Sequence, residues 1–267
     1  MVEHRPHCGI AEVVENIKVA PKIWRLTLCT PEIAAAAKPG QFVNIRASSQ
    51  YDPLLRRPFS LNRIDRAKGT ISVLYRVVGR GTELISLFRL GEKVDLIGPL
   101  GKGFATSHPR QNSLFVAGGM GIAPFFPLAQ VLSADKATAT CLYGVRCADD
   151  LAEVSHLETI GVKVVTASED GCGHYHGKVT DLLAATLCQE DFSLGFACGP
   201  HAMLSATKDL CLAAKLPLQV SLESIMACGL GLCLGCTCPK SNGEDYWHIC
   251  TDGPVLWAEE VDFAWRR

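Results

Sequence analysis

One stretch of the chain decides the fold: Ser113-Leu114-Phe115-Val116-Ala117-Gly118-Gly119-Met120-Gly121-Ile122-Ala123-Pro124. Its pattern predicts an apolar strand, a glycine turn and a helix that begins near Pro124, because proline is well tolerated in the first turn of a helix. A strand that leads through glycines into a helix suits the pyrophosphate of a dinucleotide. The candidate binding residues are Gly118, Gly119, Gly121 and Pro124. The spacing is not G-x-G-x-x-G, so a turn that serves packing alone is the alternative.

Strands and helices alternate on the C-terminal side of this stretch. Short apolar runs predict strands at 138–143, 162–166 and 193–198, with helices at 151–159, 179–186 and 202–214. This alternation is typical of an open parallel sheet, which binds ligands at the carboxyl ends of its strands. Cys198, Gly199 and Pro200 follow the last of these strands and are candidates to face a nicotinamide. An isolated cysteine at such a position is more often part of a packed core.

The first hundred residues show a different pattern. Alternating or β-branched runs occupy 11–17, 22–28, 41–46 and 70–77, and turn signals lie between them. Regular short strands of this kind predict a small antiparallel barrel or sandwich. One helix is predicted inside it, at 82–88.

Two motifs in this N-terminal region carry ring- and phosphate-binding chemistry. In Arg57-Pro58-Phe59-Ser60 the guanidinium suits a pyrophosphate, the phenyl ring suits an isoalloxazine, and the hydroxyl suits flavin N5. Leu74-Tyr75-Arg76 and then Gly79-Arg80-Gly81-Thr82 predict a second phosphate cradle, in which Gly81 allows close backbone approach. The alternatives are a proline-containing loop whose phenyl ring simply enters the core, and an ordinary helix start.

The strongest chemical signal is a cysteine loop. Cys228, Cys233, Cys236 and Cys250 follow the spacing C-x4-C-x2-C…C, which is the plant-type ligand spacing of a [2Fe–2S] cluster. Soft thiolates suit this chemistry, and the intervening glycines let a loop wrap a cluster. A zinc site is the main alternative, although zinc motifs usually present two cysteine knuckles. Chance spacing of buried cysteines is a further alternative. Cys238 is expected either to lie beside the ligands without binding the cluster or to be incidental.

Composition excludes several classes of function. The net charge is −1, from 26 Lys+Arg and 27 Asp+Glu, and no basic stripe indicates nucleic acid as a partner. The 13 cysteines are an odd number, and Met1 to His7 contain no apolar signal core, so we expect a cytoplasmic protein in a reducing compartment. The uncharged stretch 113–134 is long enough to span a membrane, but its glycines and prolines favour a strand, a turn and a helix.

Charge also bears on the choice of nucleotide. Ser168-Glu169-Asp170-Gly171 follows the third predicted strand of the parallel sheet. A side chain that binds a 2′-phosphate at this position would be Arg or Lys. Two carboxylates would repel that phosphate and accept ribose hydroxyls instead. We therefore expect NADH rather than NADPH.

The order of these motifs resembles that of the ferredoxin-NADP reductase superfamily. Within it, Glu223–Gly229 and Cys250–Val255 are similar to the electron-transfer subunits of NAD-dependent (class 1B) dihydroorotate dehydrogenases. The resemblance covers nearly the whole chain, and the cysteine loop with its trailing Asp252-Gly253-Pro254 is the most specific part.

This resemblance implies FAD, one [2Fe–2S] cluster and NAD as cofactors. It also implies an FMN-containing catalytic subunit that oxidises dihydroorotate in pyrimidine biosynthesis, in a heterotetramer with two subunits of each kind. Electrons would pass from FMN through the cluster and FAD to NAD⁺, and no residue of this chain is expected to act as acid or base on orotate. The implied cluster ligands are the four cysteines, and the implied FAD contacts are Arg57, Pro58, Phe59, Ser60, Leu74, Tyr75, Arg76, Gly81 and Thr82. The superfamily often has tyrosine at the position of Phe59, so a hydroxyl contact is lost there.

The predicted fold class is therefore a β-barrel plus an α/β domain. We expect an antiparallel FAD-binding barrel at 1–106, a parallel-sheet NAD-binding domain at 107–217 and a [2Fe–2S] subdomain at 218–267. The small subunits of ferredoxin-NAD(P)⁺ or sulfide-linked oxidoreductases share this layout and are an alternative. A zinc-bearing interaction module without redox activity is another.

Overall fold

Alternating apolar residues in the N-terminal region close into a six-stranded antiparallel barrel, which confirms the predicted class. The computed structural model describes residues 6–106 and 112–264. Residues 1–5 of the predicted barrel domain, 107–111 at the start of the predicted NAD-binding domain and 265–267 of the predicted [2Fe–2S] subdomain lie outside the described residues. The barrel order is β1-β2-β5-β4-β3-β6. Its strands are β1 (His7–Ala20), β2 (Ile23–Cys29), β3 (Phe42–Ile45), β4 (Arg57–Asp65), β5 (Thr70–Arg76) and β6 (Lys93–Leu100).

Two of these strands, β4 and β6, were not predicted from the sequence. Pro58 lies within β4, and Gly98 and Pro99 lie within β6, and both residue types are normally depleted in strands. β4 and β6 pair with β3 on its two sides, so that Ile45 of β3 lies opposite Arg57 of β4 and opposite Leu96 of β6. These pairings outweigh the low strand preference of proline and glycine. Two short helices, α1 (Pro31–Ala36) and α2 (Arg80–Ser86), complete the barrel domain.

The second layer is a parallel sheet, also as predicted. Its strands are β7 (Asn112–Gly118), β8 (Thr138–Val145), β9 (Val162–Ser168), β10 (Tyr175–His176), β11 (Leu194–Cys198) and β12 (Leu218–Ser221). The order β10-β9-β8-β7-β11-β12 places β7 in the middle of these parallel strands. Strands are added on one side of β7 as far as β10 and then on its other side from β11, so the strand order reverses between β7 and β11. Ligands of open α/β sheets bind at such a switch point. The helices are α3 (Phe125–Ala134), α4 (Val154–Thr159), α5 (Val179–Leu187) and α6 (His201–Ala213).

The helix predicted at 151–159 is shorter in the structure and begins at Val154. Glu153 precedes it with φ +54°, a left-handed backbone conformation that no helix interior accommodates. The stretch 113–134 forms β7, a glycine turn and α3. Within the described residues, no helix combines the length and apolar character that crossing a membrane requires.

The C-terminal segment folds back onto both layers. β13 (Thr237–Pro239) and β14 (Tyr246–His248) form a hairpin, and β15 (Val255–Trp257) pairs antiparallel with β12 at the edge of the sheet. Aromatic packing joins the end of the barrel segment to the sheet layer: Phe104, which follows β6, meets Phe196 of β11 edge to face at 5.3 Å and stacks on Phe125 of α3 at 6.0 Å between ring centroids. The three parts therefore share buried surface where they meet.

Candidate functional site

A cavity of about 340 Å³, here called the barrel cavity, lies where the three parts meet. The predicted FAD contacts on its wall are Pro58, Phe59, Ser60, Leu74, Tyr75, Arg76 and Thr82. The turn after β7 contributes Met120 and Ala123, and the C-terminal segment contributes Glu223, Ser224 and Met226. One concave surface thus joins the barrel motifs to the sheet and to the segment that leads into the cysteine loop.

The aromatic part of this wall is held in place by the barrel. The rings of Phe59 and Tyr75 lie 5.7 Å apart at an interplanar angle of 55°, and the Tyr75 hydroxyl donates to Asn16 Oδ1 at 3.0 Å. Burial raises the pKa of this phenol, so its hydroxyl keeps the proton that the hydrogen bond uses. These rings present a fixed apolar surface to the cavity.

Arg57 and Gly81 are not on this wall, but the structure brings the two together. A β-carbon built on Gly81 would lie 2.5 Å from Arg57 Nε, so any larger residue would collide with the guanidinium. Thr82, the next residue, accepts hydrogen bonds from the amides of Val78 and Gly79 at 2.9 and 3.2 Å. The two predicted phosphate motifs therefore form one cationic corner beside the barrel cavity.

A second and larger cavity, about 780 Å³ and here called the sheet cavity, lies at the switch point. Its wall includes the predicted residues Gly118, Gly119, Gly121, Gly199 and Pro200. Pro124 instead caps helix α3, and Cys198 is only 2% exposed in the core, so neither side chain lines this cavity as the described residues define it. Burial raises the pKa of the Cys198 thiol to about 12.

Glycine is required at this turn for two different reasons. A β-carbon on Gly121 would lie 2.1 Å from the carbonyl oxygen of Cys198, so the turn after β7 approaches the end of β11 this closely only because Gly121 has no side chain. Gly119 has φ +53° and open space at the same position, which is the left-handed conformation that glycine adopts without strain. The turn thus serves both packing and access to the cavity.

The two cavities share a wall formed by Arg76, Met120 and Glu223. Arg76 Nη1 lies 2.5 Å from Asp150 Oδ1, which ties the barrel to the sheet at this point. Desolvation at this wall raises the pKa of the Glu223 carboxyl above its ordinary value, although the residue as a whole is exposed. No role at the site was predicted for Glu223 from the sequence. An acidic residue just past an apolar strand of a parallel sheet is a signal that could have identified it.

Charged groups surround the far end of the sheet cavity. Glu169, Arg146 and Lys178 line it there. Asp170 accepts hydrogen bonds from the amides of Cys172 and Ala148 at 3.0 and 3.3 Å, and these bonds lower its pKa to about 2. The predicted acidic pair therefore lies beside the cavity, together with a cation that the sequence alone did not place.

The four cysteines lie in two pairs within the C-terminal segment, and an amide of the loop links one pair to the other, since Gly231 donates to Cys250 Sγ. The amide of Cys233 lies 3.4 Å from Cys228 Sγ, and the amide of Cys250 lies 3.4 Å from Cys236 Sγ. Cys228 and Cys233 are on the outer side, whereas Cys236 and Cys250 are each 2% exposed. Two pairs of thiols match a binuclear cluster, in which each iron takes two protein ligands. Among the described residues, no three His, Cys, Asp or Glu side chains gather as ligands of one metal ion.

Backbone amides are directed at these sulfurs, as a cluster requires. Leu230 and Gly231 donate to Cys228 Sγ and Cys250 Sγ at 3.3 and 3.2 Å. Burial opposes ionisation of the Cys228 thiol, but the amides of Leu230 and Cys233 outweigh it and lower its pKa to about 6. These amides favour the thiolate form of Cys228, whereas burial raises the pKa of the Cys250 thiol to about 12. The four thiols, with amides directed at their sulfurs, fit a [2Fe–2S] cluster, whose irons bind thiolates.

Apolar side chains around the loop face outward. Ile225 and Leu232 are about four-fifths exposed, and Leu230 and Leu234 are partly exposed. Trp247 instead packs locally, since its Nε1 donates to the carbonyl of Glu260 and Lys240 Nζ lies 4.5 Å from its ring centroid. An exposed apolar rim next to the cysteine loop is typical of a surface that a partner covers.

Comparisons with known proteins agree with this arrangement. The family model for the iron–sulfur cluster binding domain of dihydroorotate dehydrogenase B matches residues 223–262, and that for the oxidoreductase NAD-binding domain matches residues 115–209. Proteins named dihydroorotate dehydrogenase B (NAD(+)), electron transfer subunit, are similar over almost their whole length. That of Desulforamulus reducens is 35% identical, with 92% of this chain and 95% of the relative covered, and that of Fusobacterium nucleatum is 32% identical, with 94% and 96% covered.

Solved structures show the same fold. A chain of the NADH-dependent reduced ferredoxin-NADP oxidoreductase, solved in a study of flavin-based electron bifurcation, is 30% identical with a TM-score of 0.82, covering 96% of this chain and 91% of that one. The ferredoxin reductase of a carbazole 1,9a-dioxygenase is 22% identical with a TM-score of 0.68, covering 80% and 69%, and shares the fold alone.

Fold and site together define the class: an NAD-linked oxidoreductase of the ferredoxin reductase fold with an iron–sulfur binding domain. Within that class, the chain belongs to the family of electron transfer subunits of dihydroorotate dehydrogenase B (NAD(+)).

Proposed function

We propose that this chain carries electrons between NAD(H) and a partner subunit that oxidises dihydroorotate. The observation that carries the proposal is the barrel cavity, because its wall combines barrel motifs, the turn of the parallel sheet and the segment that enters the cysteine loop. Bound FAD would exchange two electrons with NAD(H) and single electrons with a [2Fe–2S] cluster, and the protein supplies position and electrostatics.

The proposed FAD site uses both barrel motifs. The ring would lie in the barrel cavity against Phe59 and Tyr75, with Ser60 at its polar edge. The cationic corner of Arg57 and Gly81 would hold the pyrophosphate, where a guanidinium gives charge-assisted hydrogen bonds and glycine keeps the backbone close.

The proposed NAD site is the sheet cavity. Its glycine turns would approach the pyrophosphate, and the wall shared with the barrel cavity would bring the nicotinamide toward the flavin. Glu169 at the far end would disfavour a 2′-phosphate by like-charge repulsion, although Arg146 lines the same cavity.

The nucleotide preference has a direct test. Removing the Glu169 charge should raise kcat/KM for NADPH relative to NADH about fivefold, which corresponds to about 1 kcal/mol. Steady-state kinetics of Glu169→Gln with both nucleotides measures this ratio. Glu158→Gln, an exposed residue on α4 outside the cavity, should leave it unchanged. An unchanged ratio in Glu169→Gln would assign the discrimination to other groups.

The cluster would be held by Cys228 and Cys233 on one iron and by Cys236 and Cys250 on the other, following the observed pairs. The exposed rim of Ile225, Leu230, Leu232 and Leu234 lies beside it and is the proposed contact surface for the partner. Burial of this rim would also shield the outer cysteine pair from solvent.

The relay is tested by anaerobic purification, reconstitution with iron and sulfide, and stepwise titration with NADH. Flavin absorbance at the visible maximum should bleach, and a paramagnetic signal of the reduced cluster should appear. If flavin and cluster are both present and both remain oxidised, the relay proposal fails.

The partner is tested by purification of the native complex. We expect an FMN-containing chain that turns over dihydroorotate, in a complex of two subunits of each kind. The similarity to the NADH-dependent reduced ferredoxin-NADP oxidoreductase makes one contrary outcome specific. A partner without FMN that exchanges electrons with ferredoxin would replace dihydroorotate in the proposal.

A further inference from the structure

Asn44 occupies an unusual place in the barrel. It lies in β3, where Val43 and Ile45 point into the barrel core and Phe42 and Asn44 lie on the opposite face. Phe42 lines the barrel cavity, and so does Pro58, which is the direct strand partner of Asn44 in β4. Asn44 is therefore on the side of the barrel where the flavin is proposed to bind.

The side chain of Asn44 is also in contact with the cysteine loop. A β-carbon built on Gly229 would lie 2.2 Å from Asn44 Nδ2, so this amide is packed directly over the residue that follows Cys228. Gly229 has φ +72°, and its lack of a side chain leaves the space that the amide fills. Asn44 thus lies between the barrel cavity and the Cys228 side of the loop.

The amide has no hydrogen-bond partner within the described part of the chain. Asn44 is 1% exposed, and both Nδ2 and Oδ1 are buried and unpaired. Leaving a buried amide group unpaired costs about 1–3 kcal/mol, so a partner in the assembled protein is expected. Cluster sulfurs are acceptors, and hydrogen bonds to them raise the reduction potential by stabilising the added negative charge.

We propose that the Asn44 amide donates a hydrogen bond to a cluster sulfur at the Cys228 corner, from the flavin side. Asn44 is then a cluster-binding residue contributed by the barrel rather than by the cysteine loop. The inference rests on the proposed cluster, because the cluster would supply the hydrogen-bond partner that the Asn44 amide lacks within the described residues.

The expected effect is a lower reduction potential when the donor is removed. At a fixed potential, Asn44→Leu should lower the ratio of reduced to oxidised cluster about tenfold, which for a one-electron centre is about 59 mV. Redox titration followed by EPR measures the ratio without any substrate. Asn62→Leu is the matched control, since Asn62 is fully buried and both of its amide atoms are likewise unpaired.

A second readout detects the contact itself. With ¹⁵N-labelled asparagine, pulsed EPR of the reduced cluster should show a ¹⁵N coupling in the wild type and in Asn62→Leu that Asn44→Leu lacks. If the leucine variant does not fold, the smaller Asn44→Ser variant serves for both measurements.

The two proposals fail in different ways. A wild-type protein that assembles no cluster would overturn the relay and this inference together. A wild-type cluster whose potential and ¹⁵N coupling are the same in the Asn44 variants would overturn only the role of Asn44.

Discussion

At the scale of single residues, a place where the two cavities meet decides which groups matter at the site. Glu223 is the only carboxylate on both cavity walls of the described structure, although the residue as a whole is exposed. Its position follows from β12, which brings the residues after Ser221 to the carboxyl edge of the sheet. A carboxyl held there with a raised pKa can keep a proton close to the proposed meeting point of nicotinamide and flavin.

The raised pKa of Glu223 predicts a pH dependence of stability. The folded state binds this proton more tightly than the unfolded state, so its contribution is fully present below the ordinary glutamate value and is lost as pH rises through the raised pKa. The free energy of unfolding of wild type minus that of Glu223→Gln should therefore fall as pH rises above the ordinary glutamate value of 4.5. Urea unfolding at a series of pH values measures it, with the exposed Glu259→Gln as control. A difference that does not change with pH would contradict a raised pKa of the Glu223 carboxyl.

At the scale of elements, the glycine turn after β7 shows packing and binding acting together. Gly121 contacts the end of β11, and Gly119 is open to the sheet cavity. The sequence predicted a nucleotide turn from its context between strand and helix. It did not reveal that one glycine serves the neighbouring strand, because β11 lies more than 70 residues further along the chain.

Gly121→Ala should lower both stability and nucleotide affinity. The new β-carbon meets the Cys198 carbonyl, so the turn must shift, at a cost of about 1–3 kcal/mol. Thermal unfolding and NADH titration measure the two effects. Gly161→Ala is the comparison, since it is strained by φ +92° but meets no atom and lies outside the cavity. Normal NADH binding in Gly121→Ala would mean that the turn adapts without moving the site.

The cysteine loop is the second element, and we expect its order to depend on the bound cluster. Cys233→Ser should abolish cluster absorbance while flavin absorbance remains, because the barrel motifs do not include this residue. The absorption spectrum and iron content of the purified variant measure this. Cys238→Ser, two residues past Cys236 on β13, should retain the cluster. Loss of flavin together with the cluster would show that the barrel cavity and the loop form as one cooperative unit.

At the scale of the whole molecule, ion pairs join the barrel to the sheet. Glu153 pairs with Arg25 of β2 and with Arg63 of β4, whose Nη2 lies 3.0 Å from Glu153 Oε1. Asp150 pairs with Arg76 of β5. The Glu153 side chain is 6% exposed, so water does not screen these contacts as it would at the surface. These ion pairs hold the barrel against the sheet layer next to the wall that the two cavities share.

Glu153→Gln should loosen this junction. Among the described residues Arg63 then has no charged partner and Arg25 keeps only Glu15, which should lower the free energy of unfolding by about 1–3 kcal/mol. Glu12→Gln removes an exposed pair with Lys93 and should cost less than about 0.5 kcal/mol. Denaturant unfolding measures both variants. Equal effects would mean that the junction is held by apolar packing alone.

Local motifs in the sequence indicate the chemistry of each part. The cysteine spacing, the Arg57–Ser60 motif and the glycine turn indicate cluster, flavin and nucleotide because each is read within a short stretch of chain. Strand and helix types were also predicted where hydrophobic periodicity was strong. Strands β4 and β6 were not, because sheet pairing overrode proline, glycine and charge there.

How these parts meet follows from long-range packing and could not be predicted from the motifs. The wall shared by Arg76, Met120 and Glu223, the contact of Asn44 with Gly229, and the Glu153 ion pairs all join residues from distant segments. Such contacts depend on burial and on the packing of the barrel against the sheet, and neither is encoded in any local pattern of residues.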